Sequence, residues 1–227
     1  MRIAEIYPSL QGEGFLTGTP SVFVRTSGCN LRCRYCDTPW ASWNPEGDDQ
    51  SIDEIVDEII RLEHQYVVLT GGEPMLFAEL VPLCNRLHEL GKHITVETAG
   101  TLSLPLECDL MSISPKLSNS TPLDGSKRWL ERHEKTRHAP EVIRYLVTRY
   151  PYQMKFVVSE PEDGPEVLKY LQDFPEISHD RVMLMPEGCT VGRLTEVENW
   201  LKPFCSEHDL TLCPRRQIEW YGSVRGT

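Results

Sequence analysis

Three cysteines lie within eight residues of the sequence, at Cys29, Cys33 and Cys36, with three and then two residues between them. No fourth cysteine follows nearby. Thiolates spaced in this way can each bind one iron of a cubane cluster, which leaves the fourth iron without a protein ligand. An open coordination position separates catalytic metal sites from closed structural ones. The triplet therefore favours an iron–sulfur cluster with room to bind a further molecule.

Two other interpretations of the triplet stay open. A zinc site needs four ligands and usually takes pairs of cysteines, whereas here there is one triplet with Asp37 as the nearest candidate for a fourth ligand. Alternatively, the cysteines are small apolar residues of the core. That second description fits the five scattered cysteines: Cys84, Cys108, Cys189, Cys205 and Cys213.

Polar or glycine-rich segments follow four of the predicted strands. The four segments are 28–36, 70–74, 97–100 and 114–116. The carboxyl ends of parallel strands meet at one edge of a sheet, where the sites of α/β folds are built. We therefore expect the four segments to lie together, with the cysteine triplet among them.

The elements that must position these segments alternate between strand and helix. The predicted strands are 2–7, 20–25, 66–70, 93–98, 109–114, 152–159, 180–186 and 210–213. The predicted helices are one that begins at Ser51, 76–90, 128–150 with an interruption at Pro140, 164–173, and 193–208 with Pro203 kinking or ending it. Residues 117–127 are predicted to form a loop. This order predicts an α/β fold with a mostly parallel sheet, open or curled into a partial barrel.

Composition limits the class of protein. The 227 residues are enough for one α/β domain, and no linker marks a second one. A formal net charge of −11 argues against nucleic acid or an anionic membrane as the main partner. There is no signal-peptide pattern at the N-terminus, and no apolar run approaches the roughly 18 residues of a membrane span. We expect a cytoplasmic protein.

Two motifs resemble those of the radical S-adenosyl-L-methionine (SAM) superfamily. One is the cysteine triplet with Tyr35 directly before its last cysteine, and the other is the sequence Gly71-Gly72-Glu73-Pro74, which is similar to the GGEP motif of that superfamily. The resemblance implies a partial, modified (β/α) barrel and a [4Fe-4S] cluster held by Cys29, Cys33 and Cys36. It also implies that SAM binds the open iron and that backbone of the GGEP loop meets the SAM ammonium group.

A narrower resemblance, to the 7-carboxy-7-deazaguanine synthases, covers nearly the whole chain. It rests on Leu10–Gly14, Arg25, Cys36–Thr38, Glu97–Thr101 and Ser114–Lys116. That family contracts the ring of 6-carboxy-5,6,7,8-tetrahydropterin, with loss of ammonia, on the route to queuosine and other 7-deazapurines. The resemblance implies SAM that is regenerated in each turnover, magnesium, an electron donor such as flavodoxin or ferredoxin, and a homodimer.

The resemblance also implies roles for the matching residues. Thr38 would give a hydroxyl oxygen to magnesium, a hard cation that takes its other ligands from water and substrate. Arg25 would pair with the substrate carboxylate through its planar guanidinium group. The other implied substrate-binding residues are Leu10, Gln11, Gly12, Glu13, Thr70 and Thr227. The implied SAM-binding residues are Gly72, Glu73, Glu97, Ser114, Pro115, Lys116, Met185, Pro186, Glu187 and Gly188.

Ordinary structural roles stay open for several of these residues. Arg25 could form a surface salt bridge, Thr38 could cap the next turn, and Glu97 could pair with a neighbouring base. Lys116 could be solvated, and Met185 could belong to the core.

The sequence departs from the family pattern near its C-terminal end. Many members carry a histidine in the final strand, whereas Arg216-Gln217 occupies that region here. We expect one domain over residues 1–227, with an N-terminal substrate loop and a C-terminal tail that lies over the active site. The competing hypotheses are another radical SAM enzyme, such as a glycyl-radical activase, and a non-catalytic electron-transfer or zinc-binding protein.

Overall fold

A computed structural model describes residues 1–123 and 126–227. Within this part of the chain, nine strands form one sheet. The strands are β1 (Arg2–Leu10), β2 (Pro20–Thr26), β3 (Asp48–Asp49), β4 (Tyr66–Gly71), β5 (His93–Thr98), β6 (Leu110–Ile113), β7 (Tyr152–Val158), β8 (Val182–Pro186) and β9 (Thr211–Leu212).

The α-helices of the described residues connect these strands. They are α1 (Pro39–Ser42), α2 (Ile52–Arg61), α3 (Leu80–Glu89), α4 (Lys127–Arg137), α5 (Pro140–Arg149), α6 (Asp163–Asp173), α7 (Val191–Glu207) and α8 (Arg216–Tyr221). Three short 3-10 helices cover Pro74–Leu76, Ser118–Ser120 and His179–Arg181.

The sheet is mostly parallel and open, as the sequence predicts. From edge to edge the order is β3-β1-β2-β4-β5-β6-β7-β8-β9. The pairs from β2 to β9 are parallel, whereas β1 runs antiparallel to both β2 and β3. Since β3 and β9 lie at opposite ends of this order, the sheet does not close into a full barrel.

Local sequence accounts for the clearest elements. Ser51 and Glu54 form a reciprocal capping box at the start of α2, and the helix buries Ile55, Val56 and Ile59. Strand β7 is buried at all seven positions. The main core lies between the sheet and its covering helices, with side chains from β4, β5, α3 and α7.

Several predicted boundaries need correction. The segment 76–90 begins with the 3-10 turn Pro74–Leu76, and α3 starts only at Leu80. Pro203 lies inside α7 and does not end it. Because Pro203 is exposed, solvent can satisfy the carbonyl group that loses its helical partner.

Short elements were missed in segments that the sequence predicts as turn or tail. Strand β3 consists of two acidic residues, which are rare in strands, and it forms because it pairs with Arg2 and Ile3. Helix α8 lies in the predicted tail. Part of the predicted loop 117–127 forms the 3-10 turn Ser118–Ser120, and positions 124 and 125 lie outside the described residues. No described helix is both long and apolar enough to cross a membrane.

Candidate active site

A cavity of about 560 Å³ lies at the carboxyl edge of the parallel strands. Its wall includes Cys29 after β2, Gly72 after β4, Ala99 after β5, Ser114 after β6 and Glu187 after β8. The four segments that the sequence predicts to meet therefore do meet in one cavity.

The cysteine triplet forms one side of this cavity. Cys29, Cys33 and Cys36 all line it, and each of these residues is partly exposed. Burial raises the pKa of Cys29 to about 12 and that of Cys33 to about 11, so in the protein alone these thiols are neutral. A positively charged metal group would reverse this balance, because thiolate is the form that binds metal.

The arrangement of the thiols suits a cluster better than a single ion. Among residues 1–123 and 126–227, no group of three His, Cys, Asp or Glu side chains is placed to hold one metal ion. A mononuclear zinc site needs its ligands around one point, whereas a cubane takes one thiolate at each of three irons. The three soft donors of this wall therefore fit an iron–sulfur cluster.

The cysteine loop is held in place from its outer side. The Arg32 backbone N–H donates to Nδ1 of His133 at 3.1 Å, and the Arg34 N–H donates to the Ser120 carbonyl at 3.0 Å. Ser120 Oγ lies 2.9 Å from Nε2 of the same histidine, which is fully buried. The Arg32 guanidinium stacks 3.9 Å from the centre of the Trp129 ring. These contacts fix the loop without using any cysteine.

The GGEP turn packs directly against the cysteine loop. A Cβ atom at Gly72 would lie 2.2 Å from the Gly28 carbonyl oxygen, so only glycine fits. The Glu73 N–H donates to that same oxygen at 2.8 Å. The Glu73 carboxylate is fully buried and accepts from Thr98 Oγ1 and the Ala99 N–H, both at 2.8 Å. Gly72 therefore lines the cavity, whereas Glu73 ties two strand ends together.

A chain of charged residues forms the opposite side. Lys155 Nζ lies 2.9 Å from Glu13 and 3.1 Å from Glu97. Arg215 Nε lies 3.2 Å from the other oxygen of Glu13, and a second nitrogen of Arg215 donates to Asp37. The Lys155 side chain is only 4% exposed. Five residues from five parts of the sequence thus form a continuous ion-pair chain.

The partners of Glu13 fix its charge. Burial alone would raise the pKa of Glu13, but Lys155 and Arg215 outweigh it and lower that pKa to about 2. Burial likewise opposes the charge of Lys155, yet the carboxylates of Glu97 and Glu13 raise its pKa above the ordinary value. Both groups are therefore ionised at neutral pH.

The substrate loop predicted at Leu10–Gly14 packs on helix α8. The Gly12 carbonyl accepts from the Arg216 N–H at 2.9 Å, and a Cβ at Gly12 would lie 2.1 Å from Gln217 Oε1. Gln217 Nε2 donates to Glu13 at 2.6 Å. Gln217 therefore holds the loop in place.

Arg25 lies in the cavity wall and is already partly paired. Its Nε donates to Glu5 at 2.8 Å and a terminal nitrogen donates to the Tyr7 hydroxyl at 2.9 Å. Arg225, from the tail, reaches the second oxygen of Glu5 at 3.2 Å and stacks 3.9 Å from the centre of the Trp40 ring. The tail thus covers the side of the cavity that holds Arg25.

Most of the predicted site residues line the cavity. Those in the wall are Leu10, Gln11, Gly12, Glu13, Arg25, Cys29, Cys33, Cys36, Thr38, Thr70, Gly72, Glu97, Ser114, Lys116, Met185, Glu187 and Thr227. Those outside it are Glu73, Pro115, Pro186 and Gly188. Gly188 nevertheless contacts a residue of the cavity wall, because its carbonyl accepts a hydrogen bond from Arg215 at 2.7 Å.

Sequence reasoning missed several residues of the wall. They are Glu5, Tyr7, Trp40, Lys155, Arg215, Gln217 and Arg225, and the sequence singled out Asp37 only as a possible zinc ligand. A signal existed for Lys155, because a lysine in the apolar run Tyr152–Val158 requires a buried partner. No comparable signal marked Arg215, whose partners are distant in sequence.

Comparison with known proteins gives consistent results. Residues 23–143 match the model of the radical SAM superfamily. A 7-carboxy-7-deazaguanine synthase of Rhodopirellula baltica is 43% identical over 99% of this chain and 88% of its own length. The enzyme of that name from Halobacterium salinarum is 44% identical over 99% and 92%. The fold is similar to the crystal structure of QueE from Escherichia coli, with a TM-score of 0.68, 22% identity, and coverage of 95% and 93%.

Proposed function

The chain belongs to the 7-carboxy-7-deazaguanine synthases of the radical SAM superfamily, and we propose that its cavity contracts the ring of 6-carboxy-5,6,7,8-tetrahydropterin to 7-carboxy-7-deazaguanine with loss of ammonia. This step leads to queuosine and related 7-deazapurines. The observation that carries the proposal is the meeting of three thiols, the Leu10–Glu13 loop and Arg25 in one cavity.

Membership of the superfamily implies a [4Fe-4S] cluster and SAM as cofactors. When bound, they supply the radical that removes a hydrogen atom from the substrate. Cys29, Cys33 and Cys36 would hold the cluster. Gly72, Ser114 and Lys116 would contact SAM, since all three lie in the wall beside the thiols. Lys116 Nζ is already anchored to Ser114 Oγ at 2.6 Å, which fixes the position of its charge.

Arg25 is well placed to hold the substrate carboxylate. A guanidinium group has five N–H donors, and the bonds to Glu5 and Tyr7 use two of them. Donors remain for a carboxylate within the cavity, and the existing bonds hold the group in one orientation. The Gln11 side chain is likewise fixed, because its Nε2 donates to Ser21 Oγ at 2.9 Å. Leu10, Gly12, Thr70 and Thr227 complete the proposed substrate wall.

Thr38 would supply the hydroxyl oxygen for magnesium. It lines the cavity two residues after Cys36, and its Oγ1 lies 3.9 Å from that thiol. Thr38 occupies the N-cap position of α1, but among the described contacts its side chain makes no capping hydrogen bond. The hydroxyl therefore remains available to a hard cation that completes its shell with water and substrate.

The wider organisation also supports this function. One continuous sheet from β1 to β9 fits a single radical SAM domain over residues 1–227. The N-terminal loop and the tail from Gly222 to Thr227 both border the cavity. A homodimer, a cytoplasmic location and an electron donor such as flavodoxin or ferredoxin complete the proposal, and sedimentation of the purified protein tests the dimer.

An anaerobic assay tests the function. The protein is reconstituted with iron and sulfide, reduced with dithionite, and given SAM, magnesium and 6-carboxy-5,6,7,8-tetrahydropterin. We expect 7-carboxy-7-deazaguanine as the product, identified by mass spectrometry. Cleavage of SAM without this product would instead indicate another radical SAM reaction.

The same assay tests the magnesium site. In Thr38→Ala, the activation by magnesium should weaken, whereas Thr195→Ala on the exposed face of α7 should respond like the wild type. Unchanged magnesium dependence in Thr38→Ala would remove Thr38 from the site.

A further inference from the structure

The sulfur atoms of the three cysteines differ in their hydrogen-bond partners. Cys36 Sγ lies 3.0 Å from the hydroxyl oxygen of Ser42. Cys29 Sγ accepts a longer bond from the Leu31 backbone N–H, at 3.4 Å. Among residues 1–123 and 126–227, no hydrogen bond reaches Cys33 Sγ. Cys36 is therefore the cysteine whose sulfur lies next to a side-chain hydroxyl group.

Backbone contacts of the short helix α1 hold Ser42 in place. Ser42 is the last residue of this helix and is only 3% exposed. The carbonyl oxygen of the preceding residue, Ala41, accepts from the Gly28 N–H at 2.7 Å. A Cβ atom at Gly72 would lie 2.8 Å from the same oxygen, so α1 packs closely against that glycine as well. The Ser42 hydroxyl group thus has a fixed and buried position beside the Cys36 sulfur.

The Ser42 hydroxyl group has one proton and two neighbours. Its Oγ lies 3.1 Å from the Thr38 carbonyl oxygen, which can only accept a hydrogen bond. While Cys36 is a neutral thiol, its S–H can donate to Ser42 and the Ser42 proton can go to Thr38. A thiolate that binds iron has no proton. Both neighbours then need the single proton of Ser42.

The sulfur of a metal-bound Cys36 should receive this proton. Hydrogen bonds to a charged acceptor are stronger than those to a neutral carbonyl group. The Thr38 carbonyl oxygen also keeps another donor, because it accepts from the Ala41 N–H at 2.9 Å. Rotation of the Ser42 hydroxyl group toward Cys36 therefore leaves no buried acceptor without a partner.

We propose that Ser42 is a positioning residue of the cluster, whose hydroxyl group donates to the Cys36 sulfur and thereby raises the reduction potential of the cluster. Such a bond withdraws negative charge from the sulfur, so it stabilises the reduced cluster more than the oxidised one. Hydrogen bonds to the sulfurs are among the factors that set the potentials of iron–sulfur clusters. The inference rests on the cluster of the proposed function, but not on its substrate.

A redox titration of the reconstituted protein tests this role. Wild type, Ser42→Ala, Ser42→Thr and Ser27→Ala are titrated anaerobically with dithionite and redox dyes, without SAM or pterin. Each cluster gains one electron from dithionite, with no atom transferred, and EPR measures the reduced fraction. Ser27→Ala is the matched control, because Ser27 is buried two residues before Cys29 and its hydroxyl group has no hydrogen-bond partner among the described residues.

The midpoint potential should depend on the hydroxyl group at position 42. In Ser42→Ala, the equilibrium constant for reduction should fall roughly three- to tenfold, as expected for the loss of one hydrogen bond. For a one-electron couple this corresponds to a potential about 30–60 mV more negative. Ser42→Thr keeps a hydroxyl group and should lie closer to the wild type, and Ser27→Ala should match the wild type.

Resonance Raman spectra add a readout that a change in packing alone would not produce. The Fe–S(Cys) stretching bands should shift to higher frequency in Ser42→Ala, because the Cys36 sulfur then donates more charge to iron. The change in these bands between ordinary and heavy water should also be smaller in Ser42→Ala than in the wild type, because an exchangeable proton has been removed.

Three results would overturn the role of Ser42. The first is a Ser42→Ala potential equal to that of Ser27→Ala. The second is a heavy-water effect that is the same in Ser42→Ala and the wild type. The third is complete loss of the cluster in Ser42→Ala, since a bond that tunes the potential is not needed to hold iron. Failure of the wild type to form product would count against the proposed function and leave these potentials unchanged, so the two failures are distinguishable.

Discussion

The cavity has two walls that are built in different ways. The cluster wall consists of the cysteine loop and the Gly71–Gly72 turn, each a short contiguous segment. The charge wall consists of the ion-pair chain Asp37, Arg215, Glu13, Lys155 and Glu97. The cluster wall depends on backbone contacts and a glycine that admits no side chain. The charge wall depends on ion pairs between side chains, of which Lys155 and Arg215 are almost fully buried.

The two walls also differ in how far apart their parts lie in the sequence. Glu13 contacts Lys155 across 142 positions and Arg215 across 202. The charge wall can therefore form only after β7, the N-terminal loop and the segment before α8 have come together. The cluster wall, which carries the chemistry common to the superfamily, is therefore specified by short local stretches of sequence. The charge wall, which includes Glu13 of the Leu10–Glu13 loop, forms only through contacts between distant segments.

Replacing Lys155 by methionine should have the largest effect on the charge wall. Two carboxylates would lose their shared buried cation, and breaking such a pair from one side costs about 3–5 kcal/mol. We expect the free energy of unfolding in urea to fall by this amount, because Glu97 loses the cation it contacts and Glu13 keeps only Arg215.

Two further variants show whether the burial of Lys155 causes the loss of stability in Lys155→Met. Lys169→Met removes a lysine that is 73% exposed and paired with Asp173, and it should change stability by less than about 0.5 kcal/mol. Adding Glu13→Gln to Lys155→Met should restore part of the loss. Equal destabilisation by the two lysine variants would show that the charge wall is an ordinary surface network.

The pH dependence of the free energy of unfolding should also reflect the ion pairs of the charge wall. The pKa of Glu13 is lowered in the folded protein to about 2, from an unperturbed value of 4.5. The contribution of the ionised Glu13 carboxylate to the free energy of unfolding is therefore complete above about pH 4.5 and is lost as the pH falls toward 2. A shift of this size corresponds to roughly 3 kcal/mol.

Glu13→Gln provides the reference for this titration, because the other carboxyl groups titrate in both proteins. The difference in unfolding free energy between wild type and variant should stay constant from pH 7 to 5 and shrink from pH 4.5 to 3. A difference that does not change over the whole range would mean that Glu13 is not held ionised by its partners.

The cluster wall should be sensitive to one added methyl group. In Gly72→Ala, the new Cβ would meet the Gly28 carbonyl oxygen at 2.2 Å, so the turn and the cysteine loop must move apart. A displacement of this kind at the proposed SAM contact should weaken SAM binding by roughly 10- to 100-fold. Equilibrium dialysis of the reconstituted protein with SAM measures the change.

Gly192→Ala is the matched control for this prediction. Gly192 lies in α7, and a Cβ there meets nothing within 4 Å, so the substitution should leave SAM affinity unchanged. Normal SAM binding in Gly72→Ala would show that the cluster wall can accommodate an added methyl group despite its close packing.

The same contrast explains how much the sequence could predict. The parallel sheet and the meeting of its strand ends were predictable because each apolar run and each following turn is local. Cys33 and Gly72 were predictable as cavity residues for the same reason, whereas Thr38 was predicted only through the resemblance to the family. Helix α8 and strand β3 were not, since neither has a strong local pattern and both depend on pairing with distant segments.

The charge wall was predictable only in part. Lys155 in a fully buried strand signals that some carboxylate must lie nearby, but the sequence does not say which one. Arg215 gives no signal, because its role depends on the path of the chain after β9. Glu73 was predicted to contact SAM, yet its side chain faces inward and accepts from Thr98 and Ala99, which only the adjacency of β4 and β5 reveals.

The smallest effect is expected at the tail, which lies over the cavity outside both walls. Arg225 contacts Glu5 at 3.2 Å and Glu46 at 2.9 Å, but its side chain is 46% exposed. Exposed ion pairs contribute little, so Arg225→Ala should raise KM for the pterin by roughly two- to fivefold and leave kcat unchanged. Arg216→Ala, which removes an exposed pair with Glu219, should change neither constant. A large fall in kcat in Arg225→Ala would place the tail within the catalytic machinery, since loss of an outer cover alone affects binding of substrate and not its conversion.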